Sequence, residues 1–397
     1  MSETLTTTTT DVVASAEEQA AEQVGALAQQ IVGMLGSATE LLTIELGRRF
    51  GLYRALQESG PTTAPAFAAA TRIAPRYARE WLEQQAAAGY LTVLEPGVFR
   101  RERLFVLPDL HVPVLVDETH PAHVAPAASL FAGVALAFPE LVEDFRQGRG
   151  VAFEEYGPEL RGGLGALNRP GFTHELRGWV EALPDRAAAL DAGGAVLDAG
   201  CGVGWSTIAL ANAFPKARIV GLDLDEASII EARRNAIDAG VSDRVSFVHG
   251  NAGDATTVRA AAAVAGTGTG TAETTVDTDA AASGFDLVTV FEALHDMGRP
   301  VDALAGFRAL LRPGGALLVA DERVADAFHA GAEPVERMLY AMSVLHCLPA
   351  TTAETGTVFN GTVLRAPTLR RWAAQAGFGR VDVLDIENPF WRFYRIG

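Results

Sequence analysis

Four short segments, each closing an expected strand, hold side chains suited to binding a small organic ligand. The first is VLDAGCGVGWS at 196–206, where an apolar run reaches Asp198 and then Gly200, Gly202 and Gly204 before a helix. Glycine lets a chain turn tightly and lets a ligand approach where a Cβ would clash. The spacing is G-x-G-x-G, not the G-x-G-x-x-G of dinucleotide sites, and the carboxylate of Asp198 would repel a pyrophosphate but suits an ammonium group. The second segment, RIVGLDLD, puts Asp223 at a strand tip, 19 residues past Gly204, where it can accept both hydroxyls of a ribose. The third, Gly250-Asn251-Ala252, offers a side-chain amide and a backbone N–H to an adenine edge. The fourth, TVFEALHD at 289–296, brings Phe291, Glu292 and His295 to the same end.

The elements that must position these residues follow from the pattern of apolar residues. From 195 onward, near-continuous apolar strands alternate with amphipathic helices, which predicts an α/β, doubly wound, Rossmann-like sheet. Ligands bind such sheets beyond the carboxyl ends of the strands, where all four segments fall. VDVLDIEN and PFWRFYRIG leave almost no room for a crossover, so the last strand is expected to be antiparallel.

Upstream, the pattern changes. Residues 1–15 are Thr-rich and read as a disordered tail. Residues 16–50 predict two helices broken near Gly36-Ser37, with Ser37 as an N-cap. Residues 50–107 predict three helices and a β-hairpin around Pro96-Gly97, so 16–107 is expected to be a mostly helical winged-helix-like domain. Its third helix carries Arg76 and Arg79 but also Glu80 and Glu83, a poor reading head for DNA. A packing role in a homodimer is expected instead. Residues 108–190 read as a helical bridge, and 191–397 as the catalytic domain. Within it, the Ala- and Thr-rich stretch 255–283 reads as a flexible insertion.

The formal charge of −17, from 32 Lys and Arg against 49 Asp and Glu, argues against nucleic acid or an anionic membrane as the main partner. Two cysteines, Cys201 and Cys347, exclude a disulfide framework and a zinc site built on cysteine pairs. No metal is expected. With no long apolar run and no secretory signal pattern at the N-terminus, a cytoplasmic location is expected.

Taken together, VLDAGCGVG, GLDLD, GNA, LRPGGALLVADE and the terminal hairpin resemble the motifs of class I S-adenosylmethionine-dependent methyltransferases. The whole chain further resembles an actinobacterial type with an N-terminal winged-helix domain. The resemblance implies a seven-stranded sheet with its last strand antiparallel and S-adenosylmethionine as cofactor. It implies that Gly200, Gly202 and Gly204 line the cofactor's amino-acid portion, with Asp198 tuning the loop. Asp223 would hold the ribose, Leu224 flank the adenine, and Asn251 and Ala252 contact it, although the family often has Asp where Asn251 stands. Phe291 and Glu292 would lie beside the methionyl part. His295 resembles the catalytic histidine of the LHDW motif in small-molecule O-methyltransferases, with Met297 in place of the Trp. A histidine suits proton abstraction because its pKa lies near neutrality. His346, in SVLHCLP, is the rival base. Tyr156, Phe172 and Trp391 are candidate walls for a flat substrate. The expected activity is O-methylation of a small hydroxylated or aromatic metabolite. N- or C-methylation, and a winged-helix regulator that senses the cofactor, are the alternatives.

Overall fold

The computed structural model describes residues 6–94, 102–267, 284–354, 356 and 358–397, and divides into two compact units, Met1–Val112 and Pro113–Gly397.

The first unit begins with a single long helix, α1 (Thr6–Arg49). It continues through α2 (Leu52–Ser59), β1 (Thr62–Thr63), α3 (Ala64–Thr71), α4 (Pro75–Ala87), β2 (Thr92–Leu94) and β3 (Leu104–Val106). The strands pair antiparallel in the order β1-β3-β2, giving the expected winged-helix arrangement. Pro96-Gly97, the expected turn of the wing, lies outside the described residues. Leu56, Phe67, Leu82 and Phe105 form its fully buried centre. Trp81 Nε1 donates to Thr43 O at 2.9 Å, tying α4 to α1.

Two expectations for α1 need correction. The helix starts at Thr6, so most of the stretch read as a disordered tail is helical backbone. It also runs through Gly36-Ser37 without a break: Ser37 Oγ donates back to Gly33 O at 3.1 Å, satisfying its hydroxyl inside the helix instead of capping a new one. On α4, Arg76 pairs with Glu80, and Arg103 reaches Glu83 at 3.1 Å, so cations at this helix are offset by carboxylates.

A short helix, α5 (Val112–Leu115), leads into the second unit. Helices α6 (Ala127–Leu136), α7 (Phe138–Gln147), α8 (Gly157–Glu181) and α9 (Pro184–Asp191) precede the sheet; α8 and α9 join its apolar layer, and α6 packs on α8. The alternation then runs β4 (Ala195–Ala199), α10 (Trp205–Ala213), β5 (Arg218–Asp223), α11 (Glu226–Asp238), β6 (Val245–His249), α12 (Ala255–Thr267) and β7 (Phe285–Phe291). It closes with α13 (Pro300–Leu310), β8 (Leu311–Glu322), α14 (Pro334–Met342), a π-helical turn at Ser343–Cys347, α15 (Leu348–Ala353), α16 (Ala366–Gln375), β9 (Val381–Val383) and β10 (Trp391–Ile396).

The seven strands lie in the order β6-β5-β4-β7-β8-β10-β9. β4 to β8 are parallel, and β10 runs antiparallel between β8 and β9. The chain order reverses between β4 and β7, which opens the crevice used by doubly wound folds at the carboxyl ends of those strands. Two apolar layers cover the sheet. Leu176, Trp179, Ile208 and Phe214 lie in one; Leu304, Phe307, Leu369 and Trp372 lie in the other.

The expected flexible insertion is corrected in its first half. Residues 255–267 form α12, whose Val258, Ala261, Ala262 and Ala265 are buried, at the i, i+3, i+4, i+7 spacing of one helix face. The remaining residues, 268–283, lie outside the described residues. Ala261→Asp would place an unpaired carboxylate in this layer. The expected cost is at least about 3 kcal/mol of stability. Denaturant unfolding checks it: an unchanged midpoint would remove α12 from the core.

Candidate active site

A cavity of about 490 Å³ opens at the carboxyl ends of β4, β5, β6 and β7. Seven of the ten residues expected at the cofactor line it: Gly200, Gly202, Asp223, Leu224, Asn251, Ala252 and Glu292. The backbone explains why they converge. Gly200 N and Cys201 N donate to Leu222 O at 2.8 and 3.1 Å, folding the glycine loop onto the end of β5. Gly200 (φ 74°) and Gly202 (φ 51°) take left-handed conformations that favour glycine. A Cβ on Gly200 would meet Ala293 at 2.3 Å, whereas at Gly202 it would meet nothing within 4 Å. The loop is thus a cradle whose open side has no side chain.

Asp223 anchors that loop. Its Oδ2 accepts from Gly202 N at 2.7 Å and its Oδ1 from Asp225 N at 2.9 Å. Each oxygen keeps a second lone pair, enough for two ribose hydroxyls. Burial pushes its carboxyl up to about 6, against the pull of the two N–H donors. Asp225 itself accepts from Arg161 Nε at 2.5 Å and caps α11 through Ser228 N at 2.9 Å.

Three expected cofactor residues sit behind the cavity wall. Asp198 is fully buried, its carboxylate taken up by Ser206 Oγ at 2.6 Å, Thr207 Oγ1 at 2.7 Å and Thr289 Oγ1 at 2.8 Å. With three hydroxyls to hold, it fixes the start of α10 and offers no free face to an ammonium group. Gly204 (φ 86°) allows close helix packing, since a Cβ there would come within 2.9 Å of Ala232. Phe291 points into the apolar layer, 5.6 Å from Phe172 between ring centroids.

Glu292 has φ 52°, a left-handed conformation that costs a residue with a Cβ about 1–3 kcal/mol. It is held there by its backbone N–H to Ala320 O at 2.8 Å and by Asn168 Nδ2, which donates to Oε2. Its carboxyl meets that of Glu322, and burial holds both above the usual carboxylate range.

His295 is buried under the cavity floor. Its Nδ1 lies 2.9 Å from Asp321 Oδ1, and its Nε2 lies 3.3 Å from Asp296 Oδ1. Burial disfavours the imidazolium, but Asp296 and Asp321 outweigh it and raise the pKa well above the usual range. Asp296 itself lines the cavity. The donor atoms of His295, Asp296 and Cys347 lie within 4.8 Å of one another, a spacing that could also hold a cation.

His346 does not reach the cavity lining. It sits on the π-helical turn, edge-on to Tyr156 and Phe153 at 4.7 and 5.6 Å, and burial lowers its pKa. The three expected substrate-wall residues also lie elsewhere. Tyr156 is fully buried and donates its hydroxyl to Leu345 O at 2.8 Å. Phe172 of α8 meets Trp391 of β10 at 5.7 Å with the rings tilted, and Trp179 of α8 touches both Trp391 and Phe393, so all lie between α8 and the sheet. The apolar wall facing the cavity is instead Phe153, Leu164 and Met297.

Sequence reasoning missed Asn168, Arg161, Asp296, Asp321, Glu322 and Glu354. Asp321 and Glu322 close β8, so the strand-end logic that found Asp223 applies to them equally. Arg161 and Asn168 come from α8, and nothing local marks them.

A Rossmann-like sheet with a glycine cradle, a strand-end carboxylate at Asp223 and buried titratable groups beside one cavity is the frame of the class I methyltransferase type. Residues 190–357 match the family model described as a methyltransferase domain, and residues 38–115 match the Rv2258c-like winged HTH domain. The chain thus carries a methyltransferase domain preceded by a winged-helix domain, and S-adenosylmethionine is its expected cofactor. Among curated relatives, it is 26% identical over 221 residues to the ubiquinone/menaquinone biosynthesis C-methyltransferase of Paracoccus denitrificans, spanning 53% of this chain and 76% of that one. Among solved structures, it is similar to the mitomycin 7-O-methyltransferase (TM-score 0.62, 22% identity, covering 96% of this chain and 99% of that one). It is also similar to human N-acetylserotonin methyltransferase (TM-score 0.64, 14% identity, 93% and 96%). The glycine cradle and the lone pairs left on Asp223 fit S-adenosylmethionine as the cofactor. Among the described residues, no helix is long and apolar enough to cross a membrane.

Proposed function

We propose that this enzyme methylates an oxygen of a small hydroxylated or aromatic molecule. The observation that carries the reading is the imidazole of His295 held between Asp321 and Asp296, with Asp296 on the cavity wall. When bound, the cofactor supplies an electrophilic methyl group. The protein's share is to align an acceptor oxygen and take its proton. Asp296 meets the acceptor hydroxyl, and His295 behind it receives the proton, with Asp321 fixing the ring. Phe153, Leu164 and Met297 give the acceptor an apolar surface. The O-methyltransferase named among the structural neighbours supports oxygen as the acceptor atom, while the C-methyltransferase relative keeps carbon as the alternative. Transfer of a labelled methyl group into a panel of phenols, alcohols and amines tests the reading. Label entering only amines or carbon acids would reject it.

We further propose a homodimer formed through the N-terminal unit. Val24, Leu27, Ile31 and Leu35 of α1 are exposed at 69%, 58%, 59% and 65%. They recur at helical spacing, a stripe suited to pairing with another helix. Leu27→Glu with Ile31→Glu is expected to convert a dimer to a monomer in light scattering. An unchanged mass would reject this interface. The carboxylates paired with Arg76 and Arg103 support a protein contact over DNA at the winged helix.

A further inference from the structure

An adenine ring presents an exocyclic amine that must find an acceptor when buried. In this cavity the expected partner, Asn251, is already engaged by its own turn. Asn251 Oδ1 accepts from Gly253 N at 2.7 Å, which ties that carbonyl to the turn and leaves it one lone pair. Its side-chain amide also bonds Glu354, which stands at the end of α15 and lines the same cavity. Glu354 Oε2 accepts from Gly298 N at 3.1 Å, so the carboxylate is held in place from the far side of the wall. A carboxylate is also a stronger acceptor than an amide carbonyl.

We propose that Glu354 is the specificity-determining acceptor for the adenine amine of the cofactor, doing from α15 what the strand-end residue Asn251 does not. This rests on reading the cavity as the cofactor site. The contact gives adenine its selectivity through a group that sequence motifs do not mark. It also ties the segment carrying His346 and Cys347 to cofactor occupancy.

The groups around Glu354 set its titration. Burial is the largest influence and, with Asp296 and Asp223 nearby, pushes its carboxyl up to about 7, against the N–H of Gly298 and the amide of Asn251. Arg299, next along the chain from Gly298, is engaged by Asp254 and Asp302 and does not offset this. An acceptor must be ionised to bind best, so cofactor affinity should fall as pH drops through 7.

The test is calorimetry on the full chain with S-adenosylhomocysteine and with its hypoxanthine analogue, in which a carbonyl replaces the amine. Wild type should prefer the adenine compound. Glu354→Gln, which can donate to that carbonyl, should shift the preference toward hypoxanthine by about tenfold or more. It should also lose the fall in affinity between pH 7 and 6, keeping only the later fall caused by Asp223. An unchanged preference and pH profile in a variant that still binds S-adenosylhomocysteine would overturn the proposal while leaving the cofactor reading intact. Failure of wild type to bind S-adenosylhomocysteine at all would overturn both.

Discussion

Asp223→Ala is expected to abolish measurable binding of S-adenosylmethionine and S-adenosylhomocysteine while leaving the fold in place. The carboxylate holds Gly202 N and Asp225 N, keeps a second lone pair on each oxygen and lines the cavity. Hydrogen bonds to a charged acceptor are each worth about 1.5–3 kcal/mol, so losing two to a ribose weakens binding by about 10²-fold to 10⁴-fold. The effect on stability is smaller because two changes oppose each other. Alanine leaves two backbone N–H groups without their acceptor, which destabilises. It also removes a buried charge whose pKa stands near 6, above its unfolded value. A raised carboxyl favours folding only while protonated, so at neutral pH its ionised form works against the fold and its removal gives relief. Thermal unfolding with and without S-adenosylhomocysteine reads both effects at once. Wild type should show a ligand-induced rise in Tm that shrinks as pH falls through 7 and shrinks further through 6, and the variant should show none at any pH. A rise of wild-type size in the variant would remove Asp223 from the ribose site.

The glycine loop and Asp223 were legible in the sequence because their function depends on local order. Each sits at the end of an apolar strand, and in a parallel sheet those ends meet at one edge whatever the packing elsewhere. The same locality exposed Asn251, Ala252 and Glu292. Asp198 carried the right type at the right place, yet its partners, Ser206, Thr207 and Thr289, decided that it faces inward. Strand alternation put Trp391 on the same face as Phe393, but only the position of α8 shows that this face is covered. Tyr156 was misleading for a similar reason: its partner, the carbonyl of Leu345, lies far along the chain. Helix α12 failed on composition. Its Ala-rich run resembles a linker, while the spacing of Val258, Ala261, Ala262 and Ala265 was helical all along. Small side chains there allow α12 to lie close against the sheet, a packing demand that composition alone conceals. The extended winged-helix unit was legible because capping signals and Pro75 mark its helices locally, whereas the unbroken course of α1 through Gly36 depends on its length.

Replacing His295 by Ala is expected to lower turnover by about 10²-fold to 10⁴-fold, the range of general acid–base contributions, with the affinity for S-adenosylhomocysteine unchanged. The ring lies under the cavity floor, so it contributes to proton transfer and not to holding the cofactor. Its environment dictates the pH dependence. Asp296 and Asp321 outweigh burial and keep the imidazole charged above the usual histidine range. Only the neutral ring accepts a proton, so the rate should climb with pH as His295 deprotonates, later than an ordinary histidine would. Asp321→Asn removes one of the two charges that hold the proton. The ascending limb should therefore move to lower pH, and the maximal rate should fall because the ring is a weaker base and is less firmly oriented. Stability carries the opposite sign. A raised histidine pKa stabilises the fold fully below its unfolded value of about 6.5, and that stabilisation is lost as pH rises through the folded value. The Asn variant should lose this contribution, so its Tm should be lower than wild type at acid pH and converge on it in alkaline solution. A pH–rate profile that does not move in Asp321→Asn, or full activity in His295→Ala, would show that the proton leaves by another route, with Asp296 as the remaining group on the cavity wall to receive it.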